Sequence, residues 1–406
     1  MALLLWGCQV MGSAPLPGSR DVAACVSTSP VTDSVFLIGD AGSPELPRES
    51  GSGELVEPVL VALHREVLRE VSRVGSRRVA TIFLGDNLYP EGLVAVGEKG
   101  RLEGERILEA QIAAAQPAPA IFVAGNHDWE EQGVAGWERV LSQGAFLGEQ
   151  GGGVLMLPPA GCAGPVTRDF GEHLRVVFLD PIGWQHSLIA PAVHARRCPN
   201  VGAKAVLYAL AEAFENTEGR HVVLALHHPL VTAGPHGGHF SWKQHLFPLT
   251  DFVPWLWIPL PGVGSIYPIA RQLGISVSDT SSGPYRGFVR GIYRASRPTV
   301  PVLVAGGHEH SLQVHRDVVG LIYAVSGAGS TKKVNRVEQS ETALMATAVP
   351  GFMRLDVRAD GSLELTVLEV EAGGGVASRF RQCVAQGAAP SGGRSSRSAA
   401  FAAPAG

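Results

Sequence analysis

The amino-acid sequence predicts an α/β fold whose chemistry lies along one edge of a sheet. Three observations carry this. Short apolar runs of strand length recur along the chain, and a helix-period stripe lies between the first two of them. Most of the runs end in glycine and a polar residue able to hold a metal. An open α/β sheet gathers its ligands at the carboxyl ends of its strands, so residues that follow successive strands meet in one place.

Taken in order, residues 1–32 read as leader and linker, 33–385 as the main domain and 386–406 as a low-complexity, disordered tail. VFLIG (35–39) is a buried-strand pattern that runs into Asp40. The segment 54–75 places Leu55, Val56, Val59, Leu60, Leu63, Val67, Val71 and Val74 on one helical stripe. Pro58 falls in its first turn, where a missing N–H is tolerated, and Gly75 suits its end. ATIFLGD (80–86) and AIFVAGN (120–126) follow as strands, then RVVFLD (175–180), VVLALHH (222–228), PVLVAGGH (301–308) and LIYAVSGAG (321–329). Residues 353–370 read as a hairpin with Asp360-Gly361 at the tip. A long irregular insertion, rich in glycine and aromatics, occupies about 231–298.

Hydrophobic residues make up 45% of the chain, enough for a sizeable core. A net charge of −4 with no basic block excludes non-specific nucleic-acid binding, which needs Lys/Arg clusters to displace counterions. The segment 252–270 is apolar, but its four prolines and two glycines rule out a regular spanning helix. A buried or surface-lying insertion is the better reading. Residues 2–6 (ALLLW) followed by Gly7-Cys8 resemble the lipobox of bacterial lipoproteins, although no positive residues precede the run and it is short. That resemblance implies export to the periplasm or cell envelope, with a membrane tether through lipidated Cys8. No cysteine pair forms CxxC, which disfavours a zinc ribbon. Without Cys8 four cysteines remain, an even number suited to an oxidising compartment. Cys162 with Cys198 and Cys25 with Cys383 is one pairing that the sequence allows without determining it.

Five motifs follow strands: Gly39-Asp40-Ala41-Gly42, Gly85-Asp86-Asn87-Leu88-Tyr89, Gly125-Asn126-His127-Asp128, His227-His228-Pro229 and Gly307-His308-Glu309-His310. Each alone is common in turns and loops; the five together, in this order, are not. Carboxylate and phenolate oxygens with imidazole nitrogens suit Fe, Zn or Mn. Two such ions about 3.5–4 Å apart acidify a water and clamp phosphate oxygens, which is what hydrolysis of a phosphate ester requires. Glycine before each ligand is expected to let the backbone turn sharply at the strand end.

The set resembles the calcineurin-like metallophosphoesterase superfamily, and within it the purple acid phosphatase branch of the tartrate-resistant type. Most of the superfamily opens with Asp-x-His; here, as in the purple phosphatases, the motif is Asp40-Ala41-Gly42, and a tyrosine, Tyr89, stands three residues after Asp86. The similarity spans about residues 33–330 and is weak over 240–298. It implies a four-layer α/β/β/α sandwich with two mixed sheets and a dimetal site at strand C-terminal ends. It implies that Asp40, Tyr89 and His310 bind a first metal, ferric in the family. Asp86 would bridge, and Asn126, His227 and His308 would bind a second metal, Fe, Zn or Mn. His127 would contact the phosphate and assist proton transfer. His236, nine residues after His227 and followed by glycine, matches the general acid of the small mammalian-type enzymes. The implied activity is a phosphomonoesterase with a metal-activated hydroxide nucleophile. A phosphodiesterase or nucleotide pyrophosphatase on the same scaffold is the alternative, and a non-catalytic binding protein a minor one.

Around these residues, Asp128 either orients His127 or caps a turn, His228 supports a ligand or forms a wall, and Glu309 is structural. Trp242, Trp255 and Trp257 are expected to serve packing rather than a pocket. His64, His173, His186, His194, His221, His239, His245 and His315 have no motif support.

Overall fold

The computed structural model describes residues 25–47, 55–132, 135–182, 197–240, 242–251, 255–337, 340 and 342–387. Cys8, most of the 386–406 tail, His186 and His194 lie outside the described residues. Two seven-stranded sheets stack face to face. The first contains β1 (Val31–Ile38), β2 (Val79–Phe83), β3 (Ala120–Phe122), β4 (Leu155–Met156), β12 (Gly351–Arg358), β13 (Leu363–Val370) and β14 (Val376–Ala385), in the order β14-β13-β12-β1-β2-β3-β4. The second contains β5 (Val166–Phe170), β6 (Leu174–Phe178), β7 (His221–Ala225), β8 (Leu303–Gly306), β9 (Leu312–Arg316), β10 (Ile322–Ser326) and β11 (Ala343–Thr347), in the order β11-β9-β10-β8-β7-β6-β5. Strands β1 to β4 run parallel, as do β6, β7, β8 and β10; β12 to β14 join the first sheet and β5, β9 and β11 the second through antiparallel pairs, so both sheets are mixed.

Alternation along β1 explains the layering. Val35 and Leu37 point between the sheets, where they meet Phe178, Ala225 and Leu355. Phe36 and Ile38 point outward, against Val59, Leu60, Leu63 and Val67 of helix α1 (Pro58–Val74). Buried on both faces, such strands read as unbroken apolar runs. Helices α2 (Arg101–Ala115) and α3 (Gly136–Glu149) complete that outer layer through Ile107, Leu108, Val140 and Leu147. On the far face, α4 (Ala203–Glu215) packs Val206, Leu210 and Phe214 against the second sheet. The result is the α/β/β/α sandwich that the resemblance implies.

The stripe on α1 differs in one respect from the sequence reading. Glu66 and Glu70 are buried beside the valines and leucines, while Val56 lies outside the helix and is exposed. Arg354 on β12 explains this. Its guanidinium donates to Glu70 Oε1 at 2.8 Å and to Asp356 Oδ2 at 2.9 and 3.0 Å, so an ionic clasp fastens the helix to the sheet. Removing one partner of a buried pair strands the other charges in the interior. Arg354→Ala is therefore expected to lower unfolding free energy by about 3–5 kcal/mol, measured by denaturant titration, whereas surface Arg77→Ala should change little.

The segment 231–298 is not irregular throughout. After the short helices α5 (Trp242–Leu246) and α6 (Ile266–Gln272) it forms α7 (Gly283–Ala295), capped by the Ser282 hydroxyl on the Tyr285 amide. Helix α7 buries Tyr285, Phe288 and Ile292 against the second sheet beside α4. The described part of the apolar segment, 255–270, lies at the surface: Trp255, Ile258, Val263 and Ile266 are all exposed. No helix among the described residues is long and apolar enough to cross a membrane. Disulfides join Cys25 to Cys383 and Cys162 to Cys198, a complement consistent with an oxidising, extracytoplasmic setting.

Candidate metal centre

The five motifs lie at one end of the sandwich because the strands before them are parallel neighbours. Asp40, Asp86 and Asn126 follow β1, β2 and β3; His227 and His308 follow β7 and β8. Backbone hydrogen bonds knit the loops together: Gly39 N to Ser326 O at 2.6 Å crosses between the sheets, and Asp40 N to Gly85 O at 2.9 Å joins neighbouring loops of the first. Gly307 N donates to His227 O, also at 2.9 Å. The sharp turns are made mainly by the polar residues themselves. Asp40, Asp86 and His308 adopt left-handed φ of 60°, 53° and 68°, each costing on the order of 1 kcal/mol or more. The glycine reading is corrected accordingly. Gly125 does not turn left-handed; a side chain there would place Cβ 2.2 Å from the Asp86 backbone nitrogen. Gly85 does both, with φ of 91° and a Cβ position 2.5 Å from His227 Nδ1.

Seven side chains converge in two groups. In the first, Tyr89 Oη lies 3.0 Å from Asp40 Oδ1, 3.0 Å from Asp86 Oδ2 and 3.1 Å from His310 Nε2. In the second, Asn126 Oδ1 lies 3.0 Å from His227 Nε2 and 2.9 Å from His308 Nδ1. Asp86 belongs to both, since its Oδ1 is 3.3 Å from His227 Nε2. Donors about 3 Å apart have the spacing of neighbouring ligands around a cation with bonds near 2.1 Å. The oxygen-rich and nitrogen-rich sets fit a harder and a softer transition ion respectively.

Electrostatics point the same way. Burial, then Asp40 and Asp86, push the Tyr89 phenol well above its usual range, so without added positive charge it stays protonated. A cation at its oxygen reverses that logic. Burial opposes ionisation of Asp86, but His227, His127 and His310 outweigh it and hold the carboxylate down. His308 falls well below the ordinary imidazole value through burial and the nearby His236, His228 and His227. Its Nε2–H donates to Ser278 O at 2.9 Å and the Nδ1–H of His227 to Leu84 O at 2.8 Å. Each ring thus turns a lone pair towards Asn126, with its tautomer set by a carbonyl behind it.

His127 and His236 stand above these groups, on a cavity of about 520 Å³ that also exposes Asp86, Asn126 and His308. The His127 amide donates to Asp86 Oδ1 at 2.9 Å, and its ring Nδ1 to Pro90 O at 2.9 Å, which leaves Nε2 for the cavity. His236 lies against His308 with ring centroids 4.1 Å apart and the rings tilted by 43°, and its Nδ1 lies 3.1 Å from Asp279 Oδ1 and 2.9 Å from Arg271 Nη2. Arg271 Nε reaches the other Asp279 oxygen at 2.7 Å. Asp279, Arg271 and Ser278 all come from the insertion, and the sequence reading missed them. Asp279 sits in the small-residue run SVSDTSSG, where neither periodicity nor a motif marks it.

The surrounding residues divide as follows. Asp128 does not orient His127. It accepts from the amides of Gly125 at 2.7 Å and Asn87 at 3.1 Å, clasping the second motif to the third. Burial and the neighbouring Asp86 raise it to about 7. His228 does not line the cavity; it is buried behind His308, its ring 4.4 Å from that of His308. Glu309 is fully buried and accepts from the His236 amide at 3.0 Å and the Thr232 hydroxyl at 3.2 Å, so it supports the loop that carries His236. Trp242, Trp255 and Trp257 neither pack into the core nor line this cavity; all three are exposed.

No family model matches the chain, and no curated protein matches it in sequence. The fold does have relatives among solved structures. That of GAP50, the anchor in the inner membrane complex of Plasmodium, superposes with a TM-score of 0.52 at 12% identity, over 87% of this chain and 89% of that one. The likeness is one of fold. A purple acid phosphatase from yellow lupin (Lupinus luteus) seeds gives a TM-score of 0.48 at 14% identity, over 88% of this chain and 54% of that one. PhoD gives 0.49 at 12% identity, over 89% and 70%.

Proposed function

We propose that the protein is a metal-dependent phosphoric ester hydrolase acting on monoesters. The observation that carries this is the pair of donor sets sharing Asp86, with two further histidines facing the same cavity. Asp40, Tyr89 and His310 would hold a ferric ion, and Asn126, His227 and His308 an Fe, Zn or Mn ion. Such a pair supplies positive charge to the phosphoryl oxygens and lowers the pKa of a water between them. The chain's own groups supply the rest. His127 presents Nε2 and, when protonated, holds a phosphoryl oxygen. His236, whose Nδ1 is held between Asp279 Oδ1 at 3.1 Å and Arg271 Nη2 at 2.9 Å, keeps Nε2 for the proton that the leaving alkoxide needs. A diesterase would use the same donors.

Metal content, visible absorption and turnover of 4-nitrophenyl phosphate and bis(4-nitrophenyl) phosphate test this reading together. Two ions per chain and faster monoester cleavage are expected; a protein that carries no metal and cleaves neither ester would overturn it. A tyrosinate on ferric iron absorbs in the visible, so Tyr89→Phe should bleach the purple colour and slow turnover at least about tenfold. A colour that survives the substitution removes Tyr89 from the first set.

A further inference from the structure

We infer that the cavity has an apolar half as well as a charged floor, and that the site takes phosphate monoesters whose alcohol is a hydrocarbon chain. This deepens the phosphoesterase reading and rests on it. One wall of the cavity is the insertion, through Tyr267, Ala270, Ile275 and Val277; the floor is Asp86, Asn126 and His308. Arg271, Tyr267 and the Ser278 carbonyl on that wall are already engaged with one another or with the site. Arg271 gives Nη1 to the Tyr267 hydroxyl at 2.9 Å and Nε to Asp279 at 2.7 Å. The Ser278 carbonyl is taken by His308. A methylene chain would find side-chain carbon there, on Tyr267, Ala270, Ile275 and Val277.

Beyond the mouth the apolar surface continues. Ile266, Tyr267, Ile269, Leu273 and Ile275, all within ten residues, are between 47% and 76% exposed. Single exposed apolar side chains are ordinary, but a contiguous group beside a cavity marks a binding surface. Its continuity with the phosphate-facing floor assigns the apolar part to the same ligand. The surface also starts within a few residues of Ser278 and Asp279, which fix His308 and His236, so the element that orients the chemistry is the one that would seat the chain.

Steady-state kinetics of the metal-loaded enzyme on methyl, butyl and hexyl phosphate test this, since all are soluble and their leaving groups are alike. Each methylene withdrawn from water is worth about fourfold in affinity. If two of the five added in hexyl phosphate are covered, KM should fall about fifteenfold from methyl to hexyl. The value of kcat should hold, because this binding is equal in ground and transition states. Ile275→Ser and Tyr267→Ser, both at exposed positions, should flatten the series. Hydrolysis of all three esters with one common KM would overturn the inference while leaving the phosphoesterase reading intact. A slope that both variants retain would also overturn it. Failure to cleave any ester would count against the proposed function itself.

Discussion

Asp86→Ala should cost the protein its metal and its hydrolysis together. Asp86 is buried, and its two oxygens serve different partners: Oδ2 meets the Tyr89 hydroxyl at 3.0 Å, while Oδ1 lies 3.3 Å from His227 Nε2. Among the described residues, no other side chain lies this close to side-chain donors of both groups. Oδ1 also receives the His127 amide at 2.9 Å, so the same carboxylate fixes the loop that carries His127. Removing a single stabiliser of transition-state charge commonly costs 10²–10³-fold, and Asp86 would support two ions. A fall in kcat/KM of about 10³-fold or more is expected, with metal content dropping below two per chain. Circular dichroism separates this from misfolding. Asp86→Asn retains an oxygen for the His127 amide but not the charge, and should lose metal while staying folded. Two bound ions and normal turnover in Asp86→Ala would refute the site.

The second large effect is expected at His236, and it should depend on the leaving group. A general acid contributes roughly 10²–10⁴-fold when the departing oxygen is basic. His236→Ala should therefore slow an alkyl phosphate by about that factor and 4-nitrophenyl phosphate far less, because nitrophenolate leaves without a proton. Equal losses on both substrates would mean that His236 only shapes the cavity. Asp279→Asn should give a smaller loss of the same kind, since it weakens the orientation of the ring without deleting it. The pH dependence of that anchor has a definite sign. Burial pushes Asp279 up, but Arg271 and His236 together hold it below the ordinary carboxylate value. Its contribution is present above the unfolded carboxylate value and is lost only as the pH falls through the lowered one. Orientation of His236 by Asp279 should thus persist in mildly acidic solution.

Much of this molecule was legible in its sequence because the signals are local. Strands such as β1 and β7 are buried on both faces and read as continuous apolar runs, and the polar residues follow them directly. Helix α1 announced itself by period, with Pro58 and Gly75 at its ends. Other parts were not legible. The antiparallel strands β9, β11 and β14 are short or edge elements whose pairing depends on distant partners. Helix α7 was hidden in a glycine-rich stretch, although Tyr285, Phe288 and Ile292 have helical spacing. The burial of Glu66 and Glu70 rests in part on Arg354, nearly three hundred residues away, which joins Arg69 and Arg73 of their own helix in neutralising them.

By itself, the sequence determined which segments are strands and which residue types follow them, because both are properties of a few adjacent residues. Tertiary structure alone decided which atoms meet. The division of Asp86 between two donor groups, the left-handed turns at Asp40 and His308, and the reach of Asp279 to His236 depend on which strands lie parallel and in what register. Register is set by packing between distant segments, with a one-residue slip turning every side chain to the opposite face, and no short window of sequence contains that information.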